Sequence, residues 1–397
     1  MTAKNPILHP QQRVHGGDDF SLTEVQLANR NSGIHLEVLK HDVTPVGMHY
    51  LLSHFDIPYV QSADDWQLAV GGLVDTPLQL GLAQLTEMPR LKQTVTLECA
   101  GNGRALMDPR WRSMPWSSEA VGTASWTGTS LKHVLALAGV KNNATTVVFS
   151  GADKGVDNGS VHRFERSLAI SDALSDEVML AWQINDQPLP PQHGYPLRLI
   201  VPGWYGMASV KWLDAISITD QPFTGYQQVK TYNFRTSEDD PGRPVTTMRV
   251  RSLMIPPGIP DFFTRRRLLQ QGATILEGRA WSGAGTPVTR VEIAVKRLPD
   301  NEELNKRLPA DGSKSASDSS ADLIWKDAEL RSTSERYSWC GWQLKHEFEA
   351  GHYRLRCRAT DASGNIQPLE APWDKAGFGN NAVHTLDVWV VDQIPAG

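Results

Sequence analysis

Residues 93–99, QTVTLEC, alternate strictly. Val95, Leu97 and Cys99 fall on one face and Thr94, Thr96 and Glu98 on the other, the period of a half-buried strand. Two glycines and an asparagine in AGNGR (100–104) then break the ladder and predict a turn, with backbone N–H groups brought near the Cys99 sulfur. In LKHVLALAG (131–139) the apolar positions Leu131, Val134, Leu135 and Ala138 share one helical face; Ser130 stands as N-cap and Gly139 as terminator. TTVVFSGAD (145–153), VMLAWQI (178–184), LRLIVPG (197–203) and VKWLDAISI (210–218) follow as strands. This part predicts a mixed α+β domain over 36–235, behind an N-terminal extension at 1–35, without a regular βαβ rhythm.

The texture changes near Val245. Segments 273–283, 288–296, 339–348, 352–361 and 384–392 alternate as strands with turn clusters between them and no helical period. They predict an all-β, immunoglobulin-like sandwich over 245–393. The polar stretch ADGSKSASDSSAD (310–322) predicts an exposed loop between two of its strands. The basic run TRRRLL (264–269) predicts a solvated surface feature.

Composition narrows the function classes. At 397 residues, 40% hydrophobic and 21% charged, the chain is an ordinary globular protein with room for two cores. A net charge of −5 offers no basic excess for nucleic acid or an anionic membrane. No apolar run approaches the roughly 20 residues of a membrane helix. The first twenty residues hold no apolar signal core and no twin-arginine pair; the expectation is a cytoplasmic protein, or a periplasmic one if a leader has been removed. The three cysteines form no C-x-x-C spacing, and Cys340 and Cys357, on two expected strands, are expected to be buried thiols.

Two segments carry candidate chemistry. Cys99 at a strand end before a glycine turn is either a structural thiol or a ligand. In 187–213, His193, Arg198, Ser209 and Lys211 gather around a Gly-containing loop. That donor set suits a phosphate or another anion, or else forms a surface network.

Together, CAGNGR (99–104), QPLPPQHGYPLR (187–198) and GMASVKW (206–212) resemble the sulfite oxidase family of molybdenum enzymes. The likeness runs from 44–58 to 379–390. It implies a molybdenum-molybdopterin cofactor in the α+β domain and a homodimer formed through the immunoglobulin-like domain. It implies that Cys99 is the one protein ligand to the metal, where a soft anionic sulfur suits a high-valent ion already held by pterin dithiolene sulfurs. His54, Asp153, His193, Arg198, Ser209 and Lys211 match cofactor-contacting positions. Arg104, Trp116 and Tyr232 match the catalytic pocket, the arginine holding a sulfur oxyanion and the phenol assisting proton movement.

The pocket departs from the family at two points: Leu52 and Ala376 stand where arginines are expected. Each charge-assisted contact to a small oxyanion contributes about 1.5–3 kcal/mol, so the pocket is expected to be less cationic and more apolar. The resemblance implies oxidation of sulfite to sulfate with two-electron reduction of Mo(VI). A protein-bound sulfane sulfur or a sulfoxide is the alternative substrate, and a non-catalytic binding scaffold the rival from another class. These 397 residues hold no C-x-x-C-H haem motif and no cytochrome b5-like segment, so the electron acceptor is expected to be separate, a cytochrome or oxygen.

Overall fold

The computed structural model describes residues 20–157, 159–262, 265–299, 323–331, 333 and 335–394. The polar stretch at 310–322 lies outside them, as do Thr264 and the first 19 residues. Among the described residues a two-stranded pair, Asn233–Phe234 with Arg243–Pro244, leads out of the first half, which holds two five-stranded sheets. One runs Leu78–Gly81, Gln67–Gly72, Leu213–Thr219, Thr146–Asp157, Ser160–Ala169, with a single parallel pair between Gln67–Gly72 and Leu213–Thr219. In the other, Arg90–Glu98, Val121–Ser130, Met179–Ile184 and Gln187–Pro188 lie side by side, and Arg198–Ile200 also pairs with Met179–Ile184. The expected strands are present, with LRLIVPG reduced to three residues and VKWLDAISI starting only after Trp212, whose φ of 49° breaks the extended run.

The helix Leu131–Ala138 buries the four residues its periodicity marks out, and Gly139 ends it at φ 70°. The expected cap is corrected: Ser130 makes no side-chain capping bond, because it is still the last residue of the strand Val121–Ser130 and its Oγ is buried without a partner. A second helix, Leu22–Arg30, lies within the region read as an extension; Ser21 and Glu24 close its N-terminus as a capping box.

The second half is two facing sheets. Arg251–Met254, Gly272–Trp281, Cys340–Phe348 and Glu329–Leu330 form one. Ile259–Pro260, Arg267–Gln270, His384–Val391, Gly351–Asp361, Val288–Arg297 and Trp325–Asp327 form the other. Leu276, Ala280 and Trp342 from the first meet Val291, Ile293, Leu355, Cys357 and Val388 from the second. Cys340 and Cys357 are free buried thiols on opposite sheets, pushed up to about 11 and about 12 by burial.

Within the basic run Arg265 is exposed, as expected, but Arg267 is not a solvated feature. Arg267 is buried and donates to the carbonyls of Pro256, Pro257 and Gly258 at 2.9, 3.0 and 2.9 Å, and to Glu37 at 3.0 Å. It pins the loop before its strand to the first half of the chain. The halves also share one hydrophobic core, in which Val121, Tyr205 and Val210 are continuous with Val245, Leu253, Trp281, Trp339 and Phe378. No helix among the described residues is long and apolar enough to cross a membrane.

Candidate active site

The strand Arg90–Glu98 delivers Cys99 to a cleft enclosing about 650 Å³, open solvent included. Its lining holds His54, Cys99, Asp153, His193, Arg198, Ser209, Lys211 and Tyr232, from segments far apart in sequence. The turn after Cys99 is tight: Asn102 N donates to Cys99 O and Arg104 N to Gly101 O, both at 2.9 Å. A Cβ on Gly101 would lie 2.5 Å from the Arg104 guanidinium, so a side chain there displaces the arginine. Burial raises the Cys99 pKa, while the Arg104 charge, the Gly101 N–H and the Trp116 indole pull it down.

Arg104 and Trp116 lie in the wall behind the sulfur rather than in the cleft lining. Arg104 donates to Ala376 O at 2.7 Å and Met114 O at 3.0 Å, and its guanidinium carbon stands 5.3 Å from the Phe378 ring centroid. Trp116 packs with Cys99, Met114 and Ala120, and its buried Nε1 has no ordinary hydrogen-bond partner. Leu27 and Ala28 of the N-terminal helix close this wall together with Leu52.

Across the cleft, the Tyr232 hydroxyl meets His54 Nε2 at 2.7 Å. Burial holds His54 down to about 3 and pushes the phenol well up, so both are neutral near pH 7. Tyr232 follows a turn of π-helix, Gln227–Thr231. Its ring stacks on Phe378 at 5.1 Å, and the Arg166 guanidinium carbon lies 5.3 Å from its centroid.

In the same lining, Lys211 donates to Leu52 O, Ser53 Oγ and Gln192 O at 2.9, 3.0 and 3.1 Å. Arg198 donates to His193 O at 2.9 Å and Ser209 O at 3.1 Å, leaving its Nε buried and unpartnered. Ser209 Oγ accepts from Val201 N at 3.1 Å, which frees the hydroxyl proton to donate. His193 is neutral, pushed down by burial. Asp153 is raised to about 6 by burial, and Lys211 lowered to about 7 by burial and the Arg198 charge.

Sequence reasoning did not single out His49, Tyr50, Phe164, Met207 or Trp212, all in the cleft lining. His49 and Tyr50 lie in the segment 44–58 that carries the family likeness. Arg166 was missed as well; an arginine alternating with buried Phe164 and Leu168 was the available signal.

The lysine yields a test on cofactor-free protein. Unfolded, Lys211 keeps its proton to about 10.4; folded, it loses it near 7. Above pH 7 the unfolded state therefore binds more protons, so stability rises with pH, by at most about 1.4 kcal/mol per unit. Histidines held neutral by burial add to this slope just above pH 7, and the buried thiols, with an unfolded pKa of about 8.5, oppose it from about a unit lower. Those groups are common to wild type and Lys211→Met, so the difference between the two isolates the lysine: chemical denaturation across pH 7–8.5 is expected to show a more positive slope in the wild type.

Residues 54–227 match the family described as oxidoreductase molybdopterin binding domain, and residues 243–391 the Mo-co oxidoreductase dimerisation domain. Mitochondrial sulfite oxidase of Rattus norvegicus is 30% identical over 98% of this chain and 67% of its own length. Sulfite oxidase of Arabidopsis thaliana is 27% identical over 97% of this chain and 95% of its own. An NADPH nitrate reductase of Fusarium oxysporum is 27% identical over 85% of the chain and 39% of its own length. In fold, the chain matches the sulfane dehydrogenase SoxCD from Paracoccus pantotrophus at a TM-score of 0.72 and 22% identity, covering 98% of this chain and 97% of that one.

The cleft fits an anionic, sulfur-ligated cofactor on its own chemistry. Lys211 and Arg198 face it with neutral histidines and Asp153 as the one carboxylate, so two cationic groups meet a single acid and the cleft favours an anionic ligand. The unpartnered Arg198 Nε and the free Ser209 proton are donors without acceptors.

Proposed function

The chain belongs to the sulfite oxidase family of molybdopterin-dependent oxidoreductases, and from that premise we propose that it oxidises sulfite to sulfate at the Cys99 cleft. It is a molybdenum-cofactor oxidoreductase acting on sulfur species, with a dimerisation domain that makes it a homodimer. The observation that supports the substrate reading is the Tyr232–His54 pair in the same cleft as Cys99, with the Arg104 charge behind the sulfur. The catalytic domain is 36–235 and the dimer forms through 245–393, an immunoglobulin-like sandwich.

When bound, the molybdenum centre supplies the two-electron acceptor and the oxygen atom that sulfite gains. Cys99 anchors it. Lys211, Arg198, Ser209 and His193 hold the anionic and polar end of the pterin, and Asp153 its ring nitrogens. Arg104, fixed by two carbonyls, offsets the charge of the substrate. Tyr232, hydrogen-bonded to a neutral imidazole, holds a proton at its hydroxyl beside the reacting atoms. Electrons leave to a separate acceptor, a cytochrome or oxygen.

Elemental analysis followed by anaerobic titration with sulfite tests the reading. Molybdenum near one per chain and bleaching of the thiolate-to-metal absorption are expected. A metal-loaded sample that sulfite does not reduce overturns the substrate. Leu52 and Ala376 favour a second substrate reading, a protein-bound sulfane sulfur or a sulfoxide, since Leu52 lines the cleft and also joins the apolar wall at Cys99 where a cation would recognise a dianion. Leu52→Arg is therefore expected to lower KM for sulfite about 10-fold, the lower end of one charge-assisted contact. An unchanged or higher KM in steady-state kinetics favours the second reading.

A further inference from the structure

The metal-binding loop is held largely by the second domain. Alternation along Arg90–Glu98 turns Cys99 into the cleft and Glu98 away from it, onto the strands of the second half. Glu98 is 1% exposed. Its Oε1 accepts from Arg251 Nη1 at 2.8 Å and Asn102 Nδ2 at 3.0 Å, and its Oε2 from Trp281 Nε1 at 2.9 Å. Arg251, 3% exposed, also reaches Asn102 O at 3.2 Å and Asn380 O at 2.7 Å. Asn380 Nδ2 in turn donates to Gly103 O at 2.7 Å, and Gly379 N to Ala100 O at 2.8 Å. Positions 98, 100, 102 and 103, on both sides of the sulfur, are thus each bonded to residues at 251, 281, 379 or 380.

A buried ion pair is a poor source of stability, because desolvating two charges offsets their attraction. Directional bonds to fixed partners supply geometry instead. Groups that support a metal ligand without touching the metal commonly change metal affinity or activity by about 10–100-fold when removed.

We propose that Arg251, acting through Glu98 and supported by Trp281, is a positioning residue for the molybdenum centre: the second domain fixes the direction in which Cys99 presents its sulfur. The proposal rests on the cofactor assignment above and not on the substrate. The dimerisation half is then part of the redox site's construction.

Loaded protein carrying Arg251→Met, Arg251→Lys or Trp281→Phe tests it. Trp281→Phe removes the N–H to Glu98 and keeps an aromatic ring in the core, the lost ring volume lowering Tm without supplying any donor. Each sample is reduced by one electron with a chemical reductant, and its paramagnetic molybdenum signal is recorded beside metal content, oligomeric state and Tm. The expected result is a changed signal in Arg251→Met and Trp281→Phe with the dimer intact, about a 10-fold or greater loss of metal affinity in Arg251→Met, and an intermediate signal in Arg251→Lys. A lower Tm with an unchanged signal and full metal content overturns the proposal. Should Arg251→Met fail to fold, Trp281→Phe decides by the same readout. Chemical reduction needs no substrate, so failure with sulfite leaves this test standing, whereas wild-type protein free of molybdenum sinks the cofactor assignment itself.

Discussion

Replacing Cys99 by serine is expected to abolish turnover, lowering it by more than about 100-fold, the upper end for losing a group that only supports a metal ligand. The physical reason is softness and charge together. The thiol already sits where burial opposes ionisation, and only the Arg104 charge, the Gly101 N–H and the Trp116 indole favour the thiolate. A serine hydroxyl is far less acidic than a thiol, so at the same position it stays protonated and is a hard, neutral donor to a metal that suits soft anionic sulfur. The fold is expected to survive. The two side chains are nearly the same size, and burying a hydroxyl beside Met114 and Trp116 costs about 1–3 kcal/mol. Pterin is expected to be retained better than turnover, because Lys211, Arg198 and Ser209, the donors that face the cleft, are unaltered by the change. Molybdenum by elemental analysis, pterin by fluorescence and Tm by calorimetry separate these effects. Serine protein with normal metal and turnover removes the basis for the assignment.

Strand alternation was legible wherever apolar and polar residues take turns in the sequence, as at 93–99, 288–296 and 352–361, although in the fold both faces of these strands are largely buried. Alternation does not say what the polar face meets. Glu98 and Arg251 look like solvated charges in sequence and are among the most buried groups in the molecule. Arg267 misled in the same way, because a run of three arginines signals solvent while the bonds of its last member to three carbonyls exist only after folding. The helix Leu22–Arg30 is short, and what holds it is tertiary: Glu24 pairs with Arg110, and Leu27 packs into the Trp116 wall. Its capping box at Ser21 and Glu24 was the local signal available. The site is the extreme case. His54, Cys99, Asp153, Arg198 and Tyr232 come from separate segments, and no periodicity joins them; the family likeness named them, and the fold brings them to one cleft or its wall.

Lys211→Met is expected to release the cofactor while leaving a folded chain. Lys211 is surrounded by neutral oxygens of Leu52, Ser53 and Gln192, and the one carboxylate acting on it is Asp153, itself raised to about 6 by burial. A cation so placed is disfavoured without an anion in the cleft, which is why its pKa falls to about 7. An anionic cofactor reverses that, and holding the proton on Lys211 becomes part of the binding energy. Loss of one charge-assisted contact of about 1.5–3 kcal/mol weakens binding roughly 10- to 150-fold. Methionine keeps most of the side-chain volume, so cavity formation contributes little. The same variant is expected to show a less positive slope of cofactor-free stability between pH 7 and 8.5 than the wild type, since the lysine's share of the titration is gone. Lys211→Arg, which keeps the charge, is expected to hold more pterin than Lys211→Met. Should the methionine protein copurify with a full complement of pterin and keep the wild-type slope of stability against pH, Lys211 is neither the cofactor's counter-charge nor a titrating group there. The charge balance of the cleft must then be reassigned to Arg198 and Arg104.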